Sequence, residues 1–192
     1  RRLMLSMLTE EPNAYLAQLQ AAKLNDDVEV AHYAATAVAQ ISKESDLKLQ
    51  QLERAFKTDP SAQNLNEYCD FLGEYLGSGL AEGRVAQIQR QQYARLLARR
   101  CEREDTLELR IRYVTALADV GQIDEAQAVI DQLVLDVPEE QEVWMLCLRL
   151  AVMRRDGDEV HRVIDAIDKQ HVYLSAANRE ELAFWRNGEE AR

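Results

Sequence analysis

The feature that most constrains this chain is a recurrence. The stretch "DEAQAVIDQL" (Asp124 to Leu133) returns as "DEVHRVIDAI" (Asp158 to Ile167), with Asp, Glu, Val, Ile and Asp repeated at a spacing of 34 residues. The segments ahead of them align too: "LELRIRYVTALADVGQ" opens at Leu107 and "QEVWMLCLRLAVMRRDG" at Gln141. Apolar residues recur at three- and four-residue intervals, as at Ala126, Val129, Ile130, Leu133 and Val137, and again at Val28, Ala31, Ala34, Val38 and Ile41, which is the spacing of a helical face. A lone pair of such helices leaves one apolar side in water, so a repeat of this kind needs stacked neighbours. With only 7 Gly and 3 Pro in 192 residues, breakers are rare, and the expected fold class is all-α.

The repeated pair resembles the tetratricopeptide family at its diagnostic positions. In that frame Gly121 is the turn glycine, Ala126 the small residue of the second helix and Pro138 the terminal proline, while Trp144 and Val160 take the aromatic and small positions of the next repeat. Val114 and Leu148 depart from the pattern, being larger than usual, which implies helices set slightly further apart. Run backwards, the frame puts Pro60 at the end of a repeat over 29–62, with Ala55 at its late small position. The interval from Pro60 to Pro138 then leaves a middle repeat, 63–106, enlarged around the glycine-bearing loop "LGSGLAEG". The resemblance implies a right-handed α-solenoid of about eleven helices. It forms a single domain, 1–192, with an N-terminal helical cap at 1–28, repeats at 29–62, 63–106, 107–140 and 141–174, and a capping helix "SAANREELAFWR" within 175–192.

One stretch, "NDDVEVAHYAATAVAQI" (Asn25 to Ile41), gathers three acids and a histidine in the manner of a metal or acid/base site. Asp27 and His32 are five residues apart, hence about 140° apart around a helix, whereas metal ligands must converge. Short polar residues followed by an acid instead suit a helix start, where side-chain oxygens accept orphan N–H groups; Asn25 or Asp26 is the expected cap. His161 and His171 carry no signature of their own. No nucleophile elbow, phosphate loop, zinc-protease helix or dinucleotide fingerprint occurs. "GSGLAEG" has the glycines of a phosphate cradle but no strand before it and no Lys-Ser or Lys-Thr after it. Cys69, Cys101 and Cys147 are odd in number and far apart, which fits neither a disulfide framework nor a zinc site and favours a reducing compartment. The expectation is therefore no enzyme, no catalytic residue, no metal and no cofactor.

The net charge of −11 is uneven: residues 1–83 carry 7 basic and 13 acidic side chains, 84–112 carry 8 and 4, and 113–192 carry 8 and 17. An acidic surface repels phosphate backbones, so nucleic acid is excluded as a partner. Within the basic middle, Arg95, Arg99 and Arg103 are spaced to share one helical face, either an ordinary solvated face neutralised by Glu102, Glu104, Asp105 and Glu108 or a docking face for an acidic partner. No apolar run of about 18 residues is present and no signal-peptide pattern is visible, so the chain as it stands is expected to be soluble. Tetratricopeptide superhelices bind through a concave face, and the positions that the resemblance assigns to it include Tyr33, Phe71, Tyr75, Ile111, Met145, Arg149 and Met153. Aromatic and methionine side chains there suit an amphipathic helix or extended segment of another protein, although some of them could pack against the chain's own ends.

Three stretches of the N-terminal half, "RRLMLSMLTEEP", "LNDDVEVAHYAATAV" and "DLKLQQLERAF", together resemble the cytoplasmic tetratricopeptide region of the PelE family, inner-membrane components of the bacterial Pel exopolysaccharide (biofilm) apparatus. That resemblance implies two transmembrane helices ahead of Arg1, with the arginine pair as their cytoplasmic flank. It also implies a scaffold at the cytoplasmic face of the inner membrane that docks a PelD-like cyclic-di-GMP receptor and the polysaccharide synthase complex. No residue here matches the arginine motif with which such receptors read the nucleotide. A soluble tetratricopeptide adaptor or chaperone-like protein unrelated to polysaccharide export, and more remotely a hydrolase built on Asp26 and His32, are the other readings. If the histidine only decorates a helix start, His32→Gln leaves helical circular dichroism and the melting temperature unchanged, and elemental analysis of the purified protein finds no stoichiometric zinc.

Overall fold

The computed structural model describes residues 12–187, and among them the regular structure is helical throughout. The chain divides into two compact units, Arg1–Leu96 and Leu97–Arg192. The residues ahead of position 12 and beyond 187, which hold part of each expected cap, lie outside the described residues.

In the first unit, α1 (Pro12–Ala22) packs on α2 (Val28–Thr58) and buries Leu16 and Leu19. The expected helical hairpin at 29–62 is replaced by α2, one unbroken helix of 31 residues and about 46 Å. The physical reason is local: neither Gly nor Pro occurs between Val28 and Thr58, and pairs one turn apart reinforce the helix, Gln40 with Glu44 and Lys57 with Glu53, each at 2.6 Å. Its start is capped by Asp27 rather than Asn25 or Asp26. Asp27 Oδ1 accepts from the Glu29 and Val30 N–H groups at 2.9 and 3.4 Å, while Asn25 Oδ1 accepts from the Asp27 N–H. Its end is set by Pro60, which holds the preceding Asp59 extended at φ −135°, ψ 97°.

Helix α3 (Ala62–Gly77) is capped by the Ser61 hydroxyl and buries Leu65, Tyr68, Cys69, Leu72 and Tyr75, a stripe of helical period that packs on α2. The Gly-bearing loop, with Gly79 at φ 72° and Gly83 at φ 56°, leads to α4 (Gly83–Cys101). Gly73 gives room for Tyr93 of α4: a Cβ there would lie 2.8 Å from the tyrosine oxygen. The division between the units falls inside α4.

The second unit is built from α5 (Leu107–Asp119), α6 (Ile123–Asp136), α7 (Gln141–Arg154), α8 (Gly157–Lys169) and α9 (Ala176–Asn187). The 34-residue offset governs where helices begin: Leu107 and Gln141 start one pair, Ile123 and Gly157 the other. Equivalent residues share environments. Val114 and Leu148 are both fully enclosed, and the pairs Ile130 and Ile164, Leu133 and Ile167, Ala126 and Val160 are all buried. Each helix packs on the next, and α5 also touches α7.

The offset extends to the turns. After α5 the backbone turns left-handed at Gly121 (φ 79°), with the Gly121 N–H donating to Ala118 O and the Gln122 N–H to Leu117 O. After α7 the same two bonds recur 34 residues on, from Arg155 to Val152 O and from Asp156 to Ala151 O, and Arg155 takes φ 57°. Asp156 then caps α8 by accepting from the Glu159 N–H at 2.9 Å. Glycine holds this conformation without strain, whereas a residue with a Cβ is disfavoured in it by about 1–2 kcal/mol. Arg155 is exposed, so little packing is lost by trimming it. Arg155→Gly is expected to stabilise the protein by about 1 kcal/mol, raising the melting temperature by ~2–4 °C in a calorimetric or circular-dichroism melt.

Candidate protein-interaction surfaces

The residues expected to line a binding face divide between the two units. In the first, Tyr33 projects from α2 into solvent and is 71% exposed. Phe71 of α3 is half-buried, with the Lys48 ammonium 4.3 Å from its ring centre, an arrangement in which the ring face attracts the cation.

Tyr75 departs from expectation. It is 5% exposed, and its hydroxyl donates to Asp46 Oδ1 of α2 at 2.8 Å, so it belongs to the α2–α3 interior and is not available to a partner. Burial, together with the hydrogen bond and negative charge of Asp46, pushes its phenol up to about 12. Burial also raises the nearby Tyr68 to about 12, with the Glu53 charge adding to the effect and a hydrogen bond from Gln92 opposing it.

In the second unit, Ile111 of α5 and Met145 of α7 are half-buried and pack against the core. Arg149 is paired: its Nη2 reaches Asp119 Oδ1 of α5 at 2.7 Å and ties the two first helices together. Met153 is exposed. The expected arginine stripe is shorter than three residues on one helix, because α4 ends at Cys101. Arg95 and Arg99 stand exposed on α4, and Arg103 lies in the turn beyond it. The arginine that sequence reasoning passed over is Arg100, 8% exposed, with Nη2 3.9 Å from Glu104 Oε2. Its place three and four residues beyond the buried Leu97 and Leu96 is the signal that marks it as facing inward.

A cleft that periodicity did not disclose opens between α6 and α8, with a volume of about 370 Å³ and α7 as its floor. Trp144 and Cys147 form that floor, Val134, Leu135, Val163 and Ala166 its apolar sides, and Asp131, Glu159 and Arg162 its charged edge. Trp144 is fixed by its indole N–H, which donates to Pro138 O at 2.7 Å. The Cys147 thiol is pushed up to about 12 by burial first and then by the Asp131 and Glu159 carboxylates. A thiol so held stays protonated at neutral pH and is a poor nucleophile.

Among the described residues no group of three or more His, Cys, Asp or Glu side chains is placed to hold a metal ion, and no helix is long and apolar enough to cross a membrane. The three cysteines are free thiols. No protein-family model, no curated protein and no solved structure matches the chain.

The tyrosines set an alkaline limit. Each has a folded-state pKa raised above the ordinary value near 10, so the stability tied to its neutral form is complete below about pH 10 and is lost as pH rises through about 12. Tyr75→Phe removes one such group and one hydrogen bond to an exposed carboxylate. Chemical denaturation is expected to show it about 0.5–1.5 kcal/mol less stable at pH 7, with a shallower fall in stability between about pH 10 and 12.

Proposed function

We propose that this chain is a non-enzymatic protein-interaction scaffold of the tetratricopeptide type. The observation that carries the reading is the 34-residue register, which is kept by the helix starts, the left-handed turns and the buried pairs of the second unit together. A register held at every one of these levels is what stacked helical hairpins need, since each hairpin must offer its neighbour the same surface.

In the fuller form of this reading the chain works at the cytoplasmic face of the bacterial inner membrane, as a PelE-like component of a Pel exopolysaccharide assembly. It docks a PelD-like cyclic-di-GMP receptor and the synthase complex. The support for this form is the wording of the N-terminal half, from "LNDDVEVAHYAATAV" to "DLKLQQLERAF". Docking uses the exposed residues among those expected to bind, each within its own unit, Tyr33 in the first and Met153 in the second, with Arg95 and Arg99 of α4 as the competing residues.

The test is co-purification with the cytoplasmic region of a PelD-like receptor. Tyr33→Glu with Met153→Glu, both at exposed positions, is expected to keep the helical spectrum and cooperative melt while abolishing capture, and Arg95→Glu with Arg99→Glu to leave capture intact. The reverse pattern assigns docking to the arginines. Failure of the unaltered chain to capture the receptor removes the Pel reading and leaves a scaffold with another partner.

A further inference from the structure

From the cleft between α6 and α8 we infer a second docking site, one that takes a basic, apolar segment of a partner protein: an apolar side chain over Trp144 and Cys147, and a lysine or arginine at Asp131. This rests on the reading of the chain as an interaction scaffold but not on the identity of its partner.

The volume, about 370 Å³, lies at the lower end of the range in which small ligands and anchoring side chains are held. Its interior is apolar, and the apolar surface continues outward: Leu135 at the lip is 76% exposed, an isobutyl group left in water beside an opening that is already hydrophobic. A small ligand lodged inside would leave that lip wet, whereas a peptide running across it covers both.

The charge argument selects the sign of the occupant. Glu159 and Arg162 neutralise one another at 2.6 Å. Asp131 accepts from the neutral Gln127 amide at 2.7 Å, so among the described residues its carboxylate charge is not paired with a cation. Asp131 lies close enough to the floor to raise the Cys147 thiol, so its negative potential extends into the space an occupant would enter. Residues 113–192, with 8 basic and 17 acidic side chains, supply a long-range field of the same sign that draws a cationic segment in and repels an acidic one. Gln127 also accepts from Arg154 Nη1 at 3.2 Å, and Arg154 is paired to Asp124 at 3.0 Å, so that arginine is already engaged away from Asp131.

Fluorescence anisotropy with labelled peptides of about ten residues tests this, using a leucine–lysine helix former, its leucine–glutamate counterpart and an alanine–lysine peptide of equal charge. The leucine–lysine peptide is expected to bind the unaltered protein at least about tenfold more tightly than either of the others. Leu135→Ser, an uncharged change at an exposed position, is expected to weaken it by about tenfold and Asp131→Asn by about threefold, with Glu180→Gln on α9 as the neutral control. Equal binding of the alanine–lysine peptide, or binding unmoved by both Leu135→Ser and Asp131→Asn, shows bulk attraction to an acidic surface and overturns the assignment. Tight binding of the leucine–glutamate peptide overturns the charge argument. Because the probes are defined peptides, these outcomes stand apart from capture of the PelD-like receptor, which tests the scaffold reading through other residues.

Discussion

Burial of α7 is the constraint on which the second unit depends. Half of its 14 residues are buried, Val143, Trp144, Leu146, Cys147, Leu148, Leu150 and Ala151, and these cover more than half of its circumference rather than one narrow stripe, leaving Glu142, Arg149 and Met153 on the open side. A helix with so wide an apolar arc is stable only when several neighbours cover it at once. The cover comes from α6 before it and α8 after it, with α5 on a third side. At about 1.5–3 kcal/mol for each large side chain fully removed from water, this burial outweighs every polar contact in the unit.

The polar contacts instead select the register in which that burial occurs. Arg149 with Asp119 and Arg154 with Asp124 each join residues 30 apart, and all four side chains are substantially solvated, so each pair contributes at most about 1 kcal/mol. Sliding α7 by one turn would break both pairs and also remove the Trp144 indole from Pro138. A further contact reaches forward: Gln141 Oε1 accepts from the Ser175 N–H, 34 residues on, and from Asn178 Nδ2, attaching the start of α9 to the start of α7.

Where the chain repeats itself, its structure was legible. Asp124 to Leu133 and Asp158 to Ile167 lie on equivalent helices, and the helix starts follow the spacing read from them. Where the frame was extended on Pro60 and the small Ala55, it failed: a terminal proline marks where a helix stops and a small residue suits any close contact, but neither says anything about a turn upstream, and without Gly or Pro α2 continues through it. Tyr75 shows a second limit. Its position in the repeat frame pointed to an open face, but the Asp46 carboxylate that holds it lies 29 residues away, and no local pattern reports such a partner. The α6–α8 cleft escaped for the same reason, because its lining comes from three helices, and Arg103 was placed on a helix that ends two residues earlier.

The neighbour-to-neighbour packing of α5 through α9 has a kinetic consequence. Helices in this unit meet the next in the chain or the next but one, so no segment has to find a partner across the whole unit. Loop-closure entropy grows with the length of chain that must be closed, and folds dominated by local contacts reach the native state orders of magnitude faster than those built from distant pairings. A helical pair can therefore begin to close as soon as its second helix leaves the ribosome, with the apolar flank of α7 waiting only for α8, and the chain spends little time exposing the surface that would otherwise lead it to aggregate.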